Sequence, residues 1–524
     1  MSAKEPRLDH NVADVVIVGA GLSGLSAAHT LIELSPETSY VILEASNRVG
    51  GRNHSDADGI DLGAGYIGPL QDRIMRMVDL VGLKLYKVYT KGKTIQYLGG
   101  KSTPYDGIIP PISALGLLDL NAALVEVDRL ATLVGPTDAH KARDAAYLDS
   151  VSCAEWIRRQ CWTTDAANTL VTTIRTLCCV EPCQMSILSF AWYVASSGGV
   201  RRIVETEGGA QDSKVAGGTG QISQRLAGRL AATCIRLNHA VRSIQADAHH
   251  VTLTCSNGTQ FVGRAAILAM PPAQQARCDY TPPLHPNRMS ALQQWPMGHI
   301  IKSFTFYDRP FWREKGLNGT FVADFGITVV AMDDSKPDGT RACLMGFVVS
   351  DQAAIWAAKT PGERREALAQ HYAKVFGTDE ALRPCGYKEK VWAEEPYVGG
   401  CYTGIPTPGA LVKYPGEIER ERIHDRVFIA GTEAAKMFSG YMDGAVESGE
   451  RSARNVLVSL GRLPKDQYEV VSKPAASSQM PFVPMEISKT ERYFIPSVPT
   501  AVALVIAFLA IAVGVAVGWA VGRR

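Results

Sequence analysis

Three features that mark specialised classes of protein are missing from this chain of 524 residues: an excess of charge, a cysteine pattern and an internal repeat. The 54 basic and 52 acidic residues leave a formal net charge of +2, which is too balanced to favour nucleic acid as the main partner. The 11 cysteines have neither the density of a disulfide framework nor the spacing of a metal site, and free thiols fit a reducing compartment. The 48 glycines and 28 prolines are not periodic, which excludes a collagen-like chain.

One long apolar run stands out at the end of the sequence. Residues 501–522 carry no charged side chain and are followed only by Arg523 and Arg524. A helix of this length reaches about 33 Å, enough for the ~30 Å hydrocarbon core of a bilayer, so we predict a transmembrane helix. A buried core helix is the alternative. Because residues 1–11 lack the apolar core of a secretory signal, we expect a globular body on a C-terminal tail anchor.

A glycine-rich turn near the N-terminus predicts a dinucleotide site. Gly19, Gly21 and Gly24 follow a predicted strand at 14–18 and open a predicted helix that runs to about residue 34. The first glycine allows the tight turn, the second lets the backbone approach a pyrophosphate, and the third lets helix and strand pack closely. Glu44 ends the second predicted strand and is placed to accept hydrogen bonds from a ribose, which argues against NADP. A plain glycine-rich turn is the alternative.

The rest of the chain alternates predicted strands and helices. Strands are predicted near 264–270, 298–307 and 426–430, and helical stretches near 111–133, 166–195 and 361–376. Residues 464–500 lose this periodicity and gain proline, serine and charge, as a linker or membrane-proximal region does. The pattern predicts an α/β (α+β) fold with a region added over the substrate.

Three further segments carry a family resemblance. Residues 48–52 (RVGGR), 426–433 (RVFIAGTE) and 439–450 (SGYMDGAVESGE) resemble the flavin-containing amine oxidase superfamily, in the family's order. The resemblance implies FAD, with a Rossmann-like FAD-binding domain and a mixed-sheet substrate domain. The implied cofactor-binding residues are Gly19, Gly21, Gly24, Glu44, Arg48, Gly51, Arg52, Val241, Trp392, Cys401, Gly431, Glu433 and Met442.

Residues 399–403 (GGCYT) resemble the monoamine oxidase branch of that superfamily. In that branch the cysteine carries FAD covalently through a thioether to the flavin 8α-methyl, so the resemblance implies an S-8α-cysteinyl FAD on Cys401. Taken alone, a cysteine is more often a small buried packing residue. Glycines at 399 and 400 let the backbone pass close to a flat cofactor.

The resemblance also implies the catalytic residues Lys302, Tyr402 and Tyr441. Lys302 lies on the apolar face of a predicted strand, and in the family this lysine holds a water at flavin N5 and assists reoxidation by O2. A snorkelling lysine on an edge strand is the alternative. The two tyrosines would flank the amine with their ring faces, although each could instead be a half-buried core residue.

The predicted cavity wall departs from familiar members. Val204 stands where an isoleucine gate is often found, and Val330 stands where some vertebrate relatives carry Tyr or Ile. Gln211 matches the substrate-facing glutamine of the family. Smaller side chains at two of these substrate-binding positions predict a more open cavity.

The resemblance implies a division of the chain. We expect the FAD-binding domain in segments 12–90, 215–297 and 391–463, and the substrate domain in segments 91–214 and 298–390. A linker over 464–500 then leads to the transmembrane segment 501–522.

The resemblance predicts a flavin-dependent oxidoreductase. It would convert primary or secondary arylalkyl monoamines to imines and then aldehydes while O2 is reduced to H2O2. Its expected location is the mitochondrial outer membrane, as a single-pass, tail-anchored protein with its body facing the cytosol. Neither nucleic acid nor a metal is expected as a partner. The glycines Gly514, Gly518 and Gly522 favour a homodimer through the anchor. The alternatives are a polyamine oxidase, with an acidic tunnel and no covalent flavin, and a flavin-binding membrane scaffold without turnover.

Overall fold

The computed structural model describes residues 11–107, 110–466 and 468. The predicted transmembrane segment 501–522 and nearly all of the predicted linker 464–500 lie outside these residues. Within the described part of the chain, no helix combines the length and the apolar character needed to cross a bilayer.

A nine-stranded sheet forms one half of the described structure. Its strands are β1 (Val12–Val18), β2 (Tyr40–Leu43), β7 (Ile235–Arg236), β8 (Val241–Ala246), β9 (Val251–Cys255), β10 (Gln260–Leu268), β11 (Asp279–Thr281), β17 (Arg422–Ile423) and β18 (Val427–Ile429). The neighbours β18, β10, β1, β2 and β7 pair in parallel. Because such strands are covered on both faces, β1, β2 and β18 are almost wholly apolar.

A seven-stranded mixed sheet forms the other half. In spatial order its strands are β16 (Gly386–Val391), β12 (Ile300–Tyr307), β15 (Ala342–Val349), β14 (Val330–Asp333), β13 (Leu317–Ala323), β4 (Lys93–Leu98) and β5 (Lys101–Tyr105). All pairs are antiparallel except β13 with β4. The remaining strands, β3 (Leu85–Lys87) and β6 (Ser213–Val215), form a separate antiparallel pair.

Helices cover both sheets. Those of eight or more residues are α1 (Leu22–Leu34), α2 (Asp72–Leu80), α3 (Ala114–Val134), α5 (Cys153–Gln160), α6 (Thr164–Cys178), α7 (Ile187–Ser196), α9 (Gly220–Gly228), α11 (Pro286–Gln293), α13 (Ser350–Ala357), α14 (Pro361–Phe376) and α16 (Met442–Ser459). The shorter ones are α4 (Ala145–Ser150), α8 (Val200–Val204), α10 (Pro272–Gln275), α12 (Phe311–Glu314) and α15 (Ala410–Lys413). Helices α1 and α16 pack closely because Gly449 has no side chain: a Cβ there would lie 2.1 Å from the carbonyl oxygen of Ser23.

The mixed α/β fold is confirmed, and the predicted helix at 361–376 has the observed bounds. The prediction of one helical stretch over 166–195 is wrong. Helix α6 ends at Cys178, Cys179 takes a left-handed conformation with φ +57°, and Pro182 starts a separate turn before α7. Since proline lacks an N–H and fixes φ, the helix cannot run through it without a break.

The strands follow the predicted segments. Those of the nine-stranded sheet come from segments 12–90, 215–297 and 391–463. Those of the seven-stranded sheet come from 91–214 and 298–390, with Val391 of β16 one residue beyond. The assignment of these segments to two domains remains a prediction.

Candidate active site

One cavity of about 1660 Å³ is lined by residues of both sheets. Its wall runs from the glycine-rich turn after β1 to strands β4 and β13 of the other sheet. Seventeen predicted site residues line it: Gly19, Gly21, Glu44, Arg48, Gly51, Arg52, Val204, Gln211, Val241, Lys302, Val330, Trp392, Cys401, Tyr402, Gly431, Tyr441 and Met442. Two predicted site residues, Gly24 and Glu433, do not line the cavity.

The glycine-rich turn has the geometry of a dinucleotide loop. Gly19 has φ +103°, and a Cβ there would lie 2.6 Å from the carbonyl oxygen of Ala269. At Gly24 a Cβ would lie 1.9 Å from the carbonyl oxygen of Gly19, so this glycine lets α1 pack on β1. At Gly21 the nearest neighbour would be 3.9 Å away, which leaves the backbone open towards the cavity. Gly21 is the N-cap residue of α1 and has no side chain to cap it, so the helix offers free N–H groups and a positive dipole there.

Glu44 follows the end of β2, at the carboxyl edge of the parallel strands where ligands of such sheets bind. Its carboxylate accepts hydrogen bonds from the backbone N–H of Ala20 at 2.7 Å and of Ser46 at 2.9 Å. These bonds fix the carboxylate beside the glycine-rich turn, on the cavity wall.

Segment 48–52 closes over the same turn. The N–H of Gly50 donates to the carbonyl oxygen of Ala20 at 2.8 Å. The Arg48 guanidinium donates to the carbonyl oxygen of Gly51 at 2.9 Å and pairs with Glu395 at 3.3 Å. The segment therefore holds two arginines, Arg48 and Arg52, at the cavity wall.

Glu433 lies behind Arg52 rather than on the wall. The two side chains form a bidentate ion pair at 2.6 and 3.1 Å. Glu433 also accepts from the Thr403 hydroxyl at 3.1 Å, and Arg52 donates to the carbonyl oxygen of Tyr402 at 3.0 Å. Burial alone would raise the pKa of Glu433, but the Arg52 charge holds it below its usual value. The pair therefore ties segment 48–52 to the loop that carries Cys401.

Cys401 faces the cavity from a glycine-shaped loop. Gly399 and Gly400 have φ +78° and +149°, and the Cys401 N–H donates to the carbonyl oxygen of Gly298 at 2.9 Å. The thiol is buried, and burial raises its pKa to about 12. The peptide bond between Cys401 and Tyr402 is cis.

Lys302 is fully buried on the cavity side of β12, which lies between β15 and β16. The alternative of a snorkelling lysine on an edge strand is therefore wrong. Its Nζ donates to the carbonyl oxygens of Asp61 at 2.7 Å and Gly63 at 2.8 Å, so its third N–H has no hydrogen-bond partner among the described residues. Burial lowers the pKa of Lys302 to about 8, and the positive charge of Lys214 acts in the same direction.

Tyr402 and Tyr441 both line the cavity, and each packs against another aromatic ring. Tyr402 meets Phe347 edge-on with ring centres 6.3 Å apart. Tyr441 stacks on Tyr193 at 6.1 Å, and the two hydroxyls are 2.8 Å apart. Burial raises the pKa of Tyr441 to about 12 and that of Tyr402 further, so both phenols are neutral at physiological pH.

Four other predicted cofactor residues occupy different elements. Val241 begins β8, Met442 begins α16, and Gly431 follows β18 with φ +122°. Trp392 is buried after β16, and its indole N–H donates to the carbonyl oxygen of Leu62 at 2.9 Å.

The three predicted substrate-binding residues also share the cavity. Val204 is 48% exposed at the end of α8 and Val330 begins β14. The Gln211 amide donates to the carbonyl oxygen of Ile203 at 3.2 Å, whereas its own oxygen is buried with no partner among the described residues.

Sequence reasoning missed part of the wall. Tyr66 and Phe347 lie about 6 Å from the Lys302 ammonium by their ring centres, and nothing in their local sequence marks them. Helix α6 adds Thr169, Thr172, Thr173 and Thr176. Their spacing places them on one helix face. In a sequence, a polar helix face ordinarily indicates exposure to solvent rather than a cavity wall.

The glycine-rich turn, the Glu44 carboxylate beside it and the parallel sheet are typical of a dinucleotide-binding α/β protein. The chain belongs to the family of flavin containing amine oxidoreductases, whose family model matches residues 22–457. The enzyme is thus a flavin-dependent amine oxidase by family, and the resemblance found in the sequence is confirmed.

Individual relatives agree with this family. The chain is 38% identical over 498 residues to amine oxidase [flavin-containing] B of Homo sapiens, covering 93% of this chain and 94% of that one. It is 36% identical to amine oxidase [flavin-containing] A of Equus caballus, and the match covers 95% of this chain and 94% of that one. Among solved structures, cyclohexylamine oxidase from Brevibacterium oxydans matches with a TM-score of 0.81 and 29% identity, covering 86% and 99%. A putrescine oxidase bound to putrescine matches with a TM-score of 0.81 and 28% identity, and the match covers 85% of this chain and 99% of that one.

The residues present fit the FAD that the family indicates. The open backbone at Gly21 and the uncapped start of α1 suit a pyrophosphate, and Glu44 suits a ribose. Cys401 and Lys302 line the same cavity, where they would hold the flavin ring.

Proposed function

We propose that this enzyme oxidises primary or secondary arylalkyl monoamines to imines, which hydrolyse to aldehydes, while O2 is reduced to H2O2. The bound FAD supplies the electron acceptor for this chemistry. One observation carries the proposal: Lys302, Cys401, Tyr402 and Tyr441 line the same cavity as the glycine-rich turn.

The side chains have distinct parts in this proposal. The neutral rings of Tyr402 and Tyr441 guide the amine by their negative faces and do not exchange protons with it. Lys302 uses its free N–H to hold a water beside the flavin, which assists reoxidation by O2. The apolar surroundings of Phe347 and Val330 exclude bulk water and favour the neutral form of the amine.

The FAD is proposed to be covalently bound through Cys401, as S-8α-cysteinyl FAD. The buried thiol on the cavity wall supports this linkage. Acid precipitation tests it, since flavin should stay with the wild-type protein and be released from Cys401→Ala. Release from the wild type, or retention in the variant, would contradict the linkage. Cys343→Ala, at a buried cysteine off the cavity wall, is the matched control.

The membrane assignment rests on the sequence of residues 501–522. We propose a single-pass tail anchor in the mitochondrial outer membrane with the catalytic body in the cytosol, and a dimer through the glycines of the anchor. Removal of residues 501–524 should shift the protein from the membrane fraction to the soluble fraction, and unchanged sedimentation would contradict the anchor.

A polyamine oxidase is the second candidate, because Glu205 and Glu207 line the cavity. Glu205 is paired with Arg201 at 2.7 Å, which offsets its charge. Peroxide release with phenethylamine and benzylamine separates the candidates from each other and from a scaffold without turnover. Release with these amines supports the monoamine proposal, release with putrescine alone supports the second, and release with none contradicts both.

A further inference from the structure

We propose that the part of the cavity lined by β4 and β13, far along the sheet from Lys302, is a polar subsite that selects amines carrying a hydroxyl group at their distal end. This inference rests on the proposed amine oxidation and names the substrate class of that same site. It is carried by the row of side chains on the floor of the cavity, by the polar side chains of β4 and β13 at one end of that row, and by the threonines of α6 that line the same cavity.

The floor of the cavity is a single cross-strand row of the seven-stranded sheet. Lys302 on β12 pairs in register with Phe347 on β15, which pairs with Val330 on β14. Val330 pairs with Val322 on β13, and Val322 pairs with Gln96 on β4. All five line the cavity. The floor therefore changes from a lysine and an aromatic ring, through two valines, to an amide.

Strand spacing gives this row a length. Neighbouring strands lie about 4.8 Å apart, so Gln96 is roughly 19 Å from Lys302 and Val322 roughly 14 Å. A phenethylamine bound at the Lys302 end spans about two strand spacings, over Phe347 and Val330. Only a longer amine reaches the row beyond Val322.

The first polar wall belongs to the sheet. Thr94 and Gln96 alternate on β4, and Asn318 and Thr320 alternate on β13, so each pair lies on the cavity face of its strand. The Asn318 amide donates to the Thr94 hydroxyl oxygen at 3.0 Å. The Thr94 hydroxyl proton is thereby left to donate to another group.

The second polar wall belongs to α6. This helix buries Leu170, Ile174 and Cys178 in the core, and its threonines line the cavity. The hydroxyls of Thr169 and Thr173 donate to the carbonyl oxygens four residues earlier, each at 2.8 Å, so their oxygens remain as acceptors.

The direction of α6 places these threonines along the cavity. The residue after the helix, Cys179, accepts at its carbonyl oxygen from His299, next to the loop of Cys401. Earlier turns, with Thr173 and then Thr169, therefore lie progressively farther from Cys401. A hydroxyl both donates and accepts, so it matches the acceptors of α6 and the donor of the sheet, whereas an ammonium only donates.

The test compares two pairs of amines that differ only by hydroxyl against methyl. The long pair is 8-aminooctan-1-ol and nonylamine, and the short pair is tyramine and 4-methylphenethylamine. The kcat/KM ratio within each pair is measured for the wild type, for Thr169→Val/Thr173→Val, and for Gln96→Leu. Thr132→Val is the control, because its hydroxyl makes the same bond to a carbonyl four residues earlier but lies outside the cavity.

We expect the hydroxyl preference within the long pair to fall about three- to ten-fold in the double variant, mainly through KM, as one or two neutral hydrogen bonds are lost. Gln96→Leu should also lower the hydroxyl preference within the long pair. The test therefore does not depend on correct folding of the double variant alone. The short pair and Thr132→Val should keep the wild-type ratios. An unchanged long-pair ratio in both cavity variants, or an equal fall in the short pair, would overturn the subsite. No turnover of any of the four amines contradicts the proposed function itself.

Discussion

The two ends of the cavity are built differently. At the nucleotide end, the backbone of Gly19 and Gly21 and the start of α1 form the surface, and these groups lie within a few residues of one another. At the amine end, side chains such as Lys302, Tyr402 and Tyr441 come from distant parts of the chain. One end is therefore a local motif and the other a product of tertiary structure.

This difference predicts different responses to mutation. At Gly19 and Gly24 the backbone leaves no room for a side chain, so a side chain added there displaces the fold. A side-chain-built site can lose one group and keep its shape, so its responses should be graded. The ion pair of Arg52 and Glu433 joins the two ends and should respond through stability.

The largest effect is expected at the nucleotide end. In Gly24→Val the added Cβ would meet the Gly19 carbonyl oxygen at 1.9 Å, so α1 cannot pack on β1. We expect that this variant does not fold into a flavin-binding protein. The measurement is the amount of bound flavin per purified chain. Gly228→Ala, at a helical glycine with nothing within 4 Å, is the control and should retain full flavin and stability. Normal flavin content in Gly24→Val would break the comparison.

The next largest effect is expected at the junction between the two ends, which is the ion pair of Arg52 and Glu433. Glu433→Gln leaves Arg52 as an uncompensated buried charge, which costs about 3–5 kcal/mol of unfolding free energy. The measurement is denaturant unfolding at neutral pH. Since the folded-state pKa of Glu433 is depressed, its stabilisation is present above its unfolded pKa and is lost as pH falls through the folded pKa. Glu314→Gln, in an exposed pair with Arg309, should change little. Equal stability losses in the two variants would contradict the role of the junction.

Lys302→Met should slow reoxidation of the flavin by roughly 100-fold, within the range of proton-handling groups. The measurement is stopped-flow mixing of the reduced enzyme with O2. Because the pKa of Lys302 is about 8, the wild-type rate should fall as pH rises through that value and the ammonium loses its charge. This transition should be absent in the variant.

Lys390→Met supplies the control for Lys302. Lys390 is the register partner of Lys302 on β16 but does not itself line the cavity, and it pairs with Glu395, a wall residue that also pairs with Arg48. It should keep both the rate and the transition. The role of Lys302 is refuted by an unchanged reoxidation rate in Lys302→Met.

The smallest effects are expected at Tyr441. Tyr441→Phe keeps the ring but loses the hydrogen bond to Tyr193, so kcat/KM should fall about three-fold. Tyr441→Ala removes the ring and its stacking as well, so the fall should be about ten-fold or more. Steady-state kinetics with phenethylamine measure both. A larger loss in the Phe variant than in the Ala variant would show that the hydroxyl, not the ring, matters.

The same contrast explains what could be predicted from the sequence. The turn at Gly19, Gly21 and Gly24 is local, so its strand, helix and glutamate could be placed from spacing alone. Cys401 and Tyr441 needed a family resemblance, because only the fold joins their segments. Thr169 could not be predicted, since a polar helix face looks the same beside solvent and beside a cavity. Glu433 lies behind Arg52 and off the cavity wall, a placement that only the packing of the folded chain decides, and its contact with the cofactor stays a prediction.

The central claim is that the two ends form one redox-active site for amines. Anaerobic addition of phenethylamine to the flavin-loaded full chain tests it most directly. The account predicts that the visible flavin absorbance is lost with one equivalent of amine per bound flavin, with one equivalent of aldehyde formed, and that it returns with H2O2 when O2 is admitted. Flavin absorbance that stays unchanged at saturating phenethylamine, benzylamine and 8-aminooctan-1-ol would contradict it.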